Sequence, residues 1–152
     1  MSTHPGTVDP RGLRLGAALT SVVLAVSLGT AGVAPALSTT LLVLQTAVFA
    51  LGAGLGPARS PYGLLFKHLV RPRLGAPSEL EDARPPRFAQ AVGLAFAVLA
   101  LVGVVTGASV LTLAALALAL VAALLNATVD LCLGCETYLL YRRLVPREAA
   151  GA

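Results

Sequence analysis

FAQAVGLAFAVLALVGVVTGASVLTLAALALALVAALLNATV, residues 88–129, is a run of 42 residues without a charged side chain. A helix rises about 1.5 Å per residue, so roughly 20 apolar residues cross the roughly 30 Å of hydrocarbon in a bilayer. One helix through the whole run is twice too long, and three do not fit. The run therefore reads as two spans joined by a tight turn. Gly103, Gly107 and Ser109 supply the break, with Ser109 suited to start the second helix as its N-cap. The predicted spans are 88–106 and 109–130.

Working outward, residues 15–58 form a second charge-free gap of 44 residues, divided by Gly32 and Pro35 into predicted spans 15–33 and 36–55. All 11 Lys and Arg and all seven Asp and Glu fall in 9–14, 59–87 and 130–148. With 57% hydrophobic and 12% charged residues and a mean hydropathy of +0.84, the 152-residue chain has the composition of a membrane protein. The expected fold is all-α: four transmembrane helices as two helical hairpins, a single domain over 11–145, with flexible ends at 1–10 and 146–152. A signal peptide is the rival for the first segment, because Arg11 and Arg14 precede an apolar run ending at Val33-Ala34-Pro35-Ala36. That run is longer than a signal core and leads straight into another span.

A pI near 9.7 would suit nucleic acid, but the placement of the cations argues for no nucleic-acid partner. Arg11 and Arg14 precede the first gap. Arg59, Lys67, Arg71, Arg73, Arg84 and Arg87 lie between the gaps, and Arg142, Arg143 and Arg147 follow the second. By the positive-inside rule both termini and the central loop face the cytoplasm, and the first partner is the lipid bilayer itself. The loop, 56–87, has two parts. Residues 60–71 mix Tyr62, Phe66 and leucines with Lys67, His68 and Arg71, as in a short amphipathic helix at the headgroups, suited to anionic lipid or to an acidic partner. Pro72, Pro77, Pro85 and Pro86 with Glu79, Glu81 and Asp82 read as an extended strap.

Polar residues within the spans, chiefly Gln45 with Ser38, Thr39, Thr40 and Thr46, suit helix packing, as do the pairs Gly52 with Gly56 and Gly103 with Gly107. The first three spans hold no ionisable side chain, which argues against ion-coupled transport. His4 and His68 both lie outside the spans, so a haem between histidines is excluded and no cofactor is indicated. An internal repeat is visible: Leu64–Pro72 resembles Leu139–Pro146 at an offset of 75, a register that sets Cys132 and Cys135 against Pro57 and Ser60.

Both cysteines of the chain stand in Cys132-Leu133-Gly134-Cys135, just after the fourth span and at the cytoplasmic interface. Three readings remain open. The pair is a redox dithiol, half of a soft-metal site completed by His68, Glu136 or a second subunit, or two small residues packed at a helix interface. In an unbroken helix Cys132, Cys135, Glu136, Leu139 and Arg143 share one face, and Glu136 acts as a modulator that disfavours a thiolate. If the helix breaks at Asn126, Thr128 or Asp130, Cys132 enters the first turn of a new helix, where a thiolate is favoured. Gly134 is the expected point of give for closing a disulfide. A reducing cytoplasm argues against a static structural one. Quinone-linked disulfide generators also combine four helices with Cys-x-x-Cys, but they need a second cysteine pair that this chain lacks.

Arg59-Ser60-Pro61-Tyr62-Gly63-Leu64-Leu65-Phe66, Val70-Arg71-Pro72-Arg73-Leu74-Gly75, Glu79-Leu80-Glu81-Asp82, Pro86-Arg87-Phe88-Ala89-Gln90 and Cys132-Leu133-Gly134-Cys135-Glu136 together resemble the bacterial integral-membrane family labelled domain of unknown function 4395, over roughly residues 8–143. The resemblance implies a multi-pass protein of the bacterial plasma (inner) membrane without an assigned reaction. It also implies genes that often adjoin those of thioredoxin-like and rhodanese-like sulfurtransferase proteins, which strengthens the dithiol reading. The function expected is relay of thiol–disulfide exchange or of sulfane sulfur with such a partner through Cys132 and Cys135. The alternatives are a soft-metal-binding membrane subunit and a structural anchor or scaffold with no chemistry of its own.

Overall fold

A computed structural model of the chain describes residues 6–145, so His4 and the tail expected at 146–152 lie outside the described residues. In chain order the elements are β1 (Thr7–Val8), α1 (Pro10–Thr30), α2 (Pro35–Leu55), a 3-10 turn (Pro57–Arg59), α3 (Pro61–Leu65), a π turn (Phe66–Val70), α4 (Arg71–Leu74), β2 (Glu81–Asp82), α5 (Arg84–Thr106), α6 (Ser109–Val129) and α7 (Leu133–Leu144). The protein is nearly all-α, and α1, α2, α5 and α6 are each long and apolar enough to cross a membrane. They correspond to the four expected spans.

Local chemistry moves the boundaries. α1 begins five residues before the expected Leu15, because the Asp9 carboxylate accepts the Arg11 N–H at 3.0 Å and Pro10 fills a first-turn position that has no N–H to satisfy. Pro85 and Pro86 extend α5 backward in the same way, with Asp82 accepting the Arg84 N–H at 2.9 Å. The strap is not wholly irregular: Thr7 pairs with Asp82 and Val8 with Glu81 in a short antiparallel ladder. Residues 7–10, expected to belong to a flexible end, are thus held by that ladder and by the Asp9 cap. Pro72 cannot donate an N–H inside the helical path from Pro61 to Leu74, and the turn before it widens so that the Arg71 N–H reaches the Phe66 carbonyl.

The four long helices form a ring in which α1 packs on α2 and α6, and α5 packs on α2 and α6, leaving α1 and α5 at opposite corners. Small residues set the close approaches. A Cβ on Gly52 would meet the Gln90 side chain at 2.7 Å, and one on Gly93 would meet the Phe49 ring at 2.6 Å. Leu24, Leu42, Phe49, Ala97, Ala100, Ala115, Leu116 and Ala119 make the core. Within hairpins, Ser27 and Ser38 bond reciprocally across α1 and α2, and the Thr112 hydroxyl donates to the Ala100 carbonyl at 3.2 Å. No more than 28% of any apolar stretch is buried by the protein itself, so the outward faces, with Val22 62% and Leu118 58% exposed, need lipid as their solvent.

The hairpins are tied at one end. Arg87 donates to the Ala53 and Gly54 carbonyls, both at 2.6 Å, capping α2 from α5. Arg14 on α1 lies 3.9 Å from the Asp130 carboxylate beyond α6. α3 returns along α1, with Phe66 buried against Gly12, and α7 returns along α5. The two halves are therefore related by a pseudo-twofold axis along the bundle, in keeping with a repeat. Its register differs from the sequence expectation. Ser60 caps α3 by accepting the Gly63 N–H at 3.1 Å, and Cys132 caps α7 by accepting the Cys135 N–H at 3.3 Å, so Cys132 corresponds to Ser60 and Cys135 to Gly63. The 3-10 turn Pro57–Arg59, which has no counterpart after α6, accounts for the slip.

Candidate functional site: the Cys132–Cys135 pair

The fourth long helix does not run on through the cysteines. It stops at Asp130, which adopts left-handed backbone angles (φ 59°, ψ 26°) and is the one non-glycine residue among those described with positive φ. Asp tolerates that conformation better than most residues, and the N–H groups of Asp130 and Leu131 both turn back to the Leu125 carbonyl. Leu131 and Cys132 then lead into α7, whose N-cap is Cys132 itself. Of the two sequence alternatives the broken helix is the one adopted, and the single shared face proposed for a continuous helix does not form.

The two sulfurs are bonded to each other, with the Cα atoms 5.2 Å apart. Cys132 Sγ accepts the Cys135 N–H at 3.3 Å, and the Cys132 carbonyl accepts the Glu136 N–H at 3.0 Å. Cys132 therefore sits where the first N–H groups of a helix point outward and the helix dipole is positive, a setting that stabilises a thiolate once the bond is reduced. Both cysteines are half-buried, so a partner can reach them. Glu136 lies in the first turn of α7 with its side chain exposed, which limits its effect on the sulfurs.

Gly134 is not a point of give. It is helical and lies against α5, where a Cβ would come within 2.7 Å of both the Cα and the Cβ of Ala89. One turn on, the Tyr138 ring packs on Phe88 with centroids 5.7 Å apart, and the Arg142 guanidinium stands 6.0 Å from the Tyr138 centroid. The pair is thus pinned to the first turns of α5, beside the level where Arg87 marks the polar boundary. Sequence reading missed Ala89 and Phe88 as its supports; the small residue between the cysteines was the one available signal.

The other candidates lie elsewhere. His68 belongs to the π turn packed against α1, at the corner opposite α5, and so does not join the cysteines. Among the described residues no three His, Cys, Asp or Glu side chains come together as a metal would require. Near the site the Glu81 carboxyl is pushed up by burial and by the charges of Asp130 and Glu79. A shallow groove on α2, lined by Pro35, Ala36, Thr39, Thr40, Val43 and Leu44, lies at the far end of the bundle.

The family model described as a domain of unknown function, number 4395, matches residues 8–143, which takes in every helix and both cysteines. No curated protein and no solved structure matches the chain.

Proposed function

The chain belongs to the family labelled domain of unknown function 4395, and from that footing we propose that it relays thiol–disulfide exchange at the cytoplasmic face of a bacterial plasma membrane. The partner is a soluble dithiol protein of the thioredoxin kind. Both termini and the 56–87 loop face the cytoplasm, a placement supported by every described Lys and Arg lying at the cysteine end of the bundle.

The observation that carries the reading is the bonded, half-buried pair with Cys132 capping α7. A partner thiolate attacks Cys132 Sγ, the Cys132–Cys135 bond breaks, and Cys135 leaves as a thiolate that takes up a proton. The partner's second thiol then attacks the mixed disulfide and frees Cys132. Two electrons and two protons pass from the partner dithiol to the pair, and the reverse direction uses the same intermediate. In the reducing cytosol such a bond is transient, which suits exchange rather than a permanent staple. A rhodanese-like sulfurtransferase would use the same Cys132 as a sulfane-sulfur acceptor; a pair already bonded to itself favours the electron-transfer form.

The test is trapping in cells. Cys135→Ser leaves Cys132 without its resolving thiol and is expected to accumulate a mixed disulfide with a soluble partner, visible as a reductant-sensitive band, and Cys132→Ser less of it. If both variants match the parent in trapped species and in thiol labelling, the pair is a packing feature and the proposal fails.

A further inference from the structure

The segment from Pro57 to Gly75 carries Arg59, Lys67, His68, Arg71 and Arg73 and no carboxylate; the nearest acidic residues in sequence are Asp9 and Glu79. The ion pairs among the described residues engage Arg11, Arg14 and Arg84, leaving Arg59, Lys67, Arg71 and Arg73 without one. Asp9, the carboxylate nearest to Arg71, is already held by the Arg11 guanidinium through both of its oxygens. On the same segment Leu64, Leu65, Leu69 and Leu74 are 42%, 38%, 53% and 46% exposed. Unbalanced cations and bare leucines therefore share one short helical stretch.

Its tilt sorts them by depth. Tyr62 lies beside Gly16, and its hydroxyl donates to the Gln45 side chain at 2.8 Å, while Phe66 lies beside Gly12. At about 1.5 Å per residue, Gly16 is about 9 Å and Gly12 about 3 Å along α1 from Pro10. The segment starts inside the hydrocarbon boundary and climbs outward, until the Leu74 and Gly75 carbonyls accept from Arg11. Tyr62 and Phe66 hold its inner side to the bundle. Leu64 and Leu65 then fall at acyl depth, and Lys67, Arg71 and Arg73 at the level of the lipid phosphates.

We infer that this segment is a binding site for anionic phospholipid headgroups: Lys67, Arg71 and Arg73, backed by Arg59, engage lipid phosphates while Leu64, Leu65 and Leu69 rest on the acyl chains. The charge fits. A surface with only cations and no acidic neighbour attracts an anionic leaflet, and acyl contact is available to a lipid but not to free phosphate. The inference stands without the dithiol and would survive its failure.

The chain contains no tryptophan, so a single one reports its own surroundings. Leu69→Trp in the full chain, in nanodiscs of mixed phosphatidylglycerol and phosphatidylcholine, would be quenched by bromine placed on the acyl chains of one lipid at a time. Leu118→Trp, on the lipid-facing side of α6, serves as the comparison. Leu69→Trp is expected to be quenched more by brominated phosphatidylglycerol, and Leu118→Trp equally by both. Adding Lys67→Gln, Arg71→Gln and Arg73→Gln, with helicity checked, should lower the phosphatidylglycerol preference at position 69 by about tenfold or more, since each cation near an anionic surface contributes severalfold. Equal quenching by the two lipids at position 69 overturns the inference, as does a preference that survives the triple change. So does a preference abolished by millimolar inorganic phosphate, which marks a small-anion site, or quenching absent altogether because an acidic protein covers the segment.

Discussion

Gly134→Ala sets two effects of opposite sign against each other. In an isolated helix the change is favourable by about 0.5–1 kcal/mol, since alanine loses less backbone freedom on becoming helical. Here the new methyl meets the Ala89 Cα and Cβ at 2.7 Å, a contact with backbone and with the shortest of side chains, neither of which can swing aside. Overpacking of that kind costs about 1–3 kcal/mol. The balance is a net loss of about 1–2 kcal/mol in the docking of α7 on α5, or about a 5- to 30-fold larger open population. Hydrogen exchange of the amides from Cys135 to Leu140, in nanodiscs, should speed up by that factor while amides in the middle of α5 and α6 hold their rates. Ala89→Gly in the same chain should restore most of the protection, which separates a clash from a general defect. Unchanged or slower exchange in Gly134→Ala alone would show that α7 does not rest on Ala89 and would refute the pinned geometry of the cysteine pair.

Tyr62→Phe leaves the buried Gln45 Oε1 without its 2.8 Å donor and should lower stability by about 1–2 kcal/mol in a bicelle unfolding titration, with part of the loss recovered by adding Gln45→Leu. The Asp9 carboxyl experiences burial that opposes its charge, but the Arg11 side chain and N–H and the charges of Arg11 and Arg71 prevail and hold it below its ordinary value. A lowered carboxyl stabilises above the unfolded value, near pH 4, and the benefit is lost as pH falls through the folded one. Amide protection at the start of α1 should therefore be flat above about pH 4 and fall below it in the parent, and lose most of that dependence in Asp9→Asn, which still caps. In a chain with both cysteines replaced by serine, an impermeant thiol reagent applied outside intact cells should label Val33→Cys, at an outer turn and 84% exposed, but not Ser78→Cys; the reverse pattern would invert the topology. Chelation should leave the melting temperature unchanged, because Cys132 and Cys135 are spent on each other and His68 lies at the opposite corner; stoichiometric zinc lost on Cys132→Ser would favour a metal site instead.

Charge-free length is why the four spans could be read from the chain: hydrocarbon excludes ionised side chains whatever their neighbours, so two gaps of about 40 residues admit one solution. The ends of the helices obey a different rule, which depends on single residues. Asp9 with Pro10, and Asp82 ahead of Pro85 and Pro86, lengthen α1 and α5 toward the cytoplasm by capping, where composition alone placed each start at the last charge. At the site, spacing identified Cys132 and Cys135 but did not choose between a continuous and a broken helix. Asn126, Thr128 and Asp130 are all competent caps, yet the cap is the sulfur of Cys132, a weak acceptor that ordinary preferences rank low. The fit of Gly134 against Ala89 joins residues far apart in sequence, and no local pattern encodes it.

The polar links from one hairpin to the other cluster at a single end: Arg87 on the last carbonyls of α2, Arg14 with Asp130, and the ladder between β1 and β2. Toward the far end the described polar bonds, Ser27 with Ser38 and Thr112 with Ala100, stay within a hairpin, so between hairpins only apolar surfaces meet there. Lipid tails solvate such surfaces about as well as another helix does. The molecule is therefore built like a clothes-peg whose spring lies in the cytoplasmic headgroups. Each hairpin can enter the bilayer as a complete unit, the clasp closes afterward around the arginines, and thermal parting of the hairpins begins at the outer tips while the cysteine pair stays beside the fulcrum.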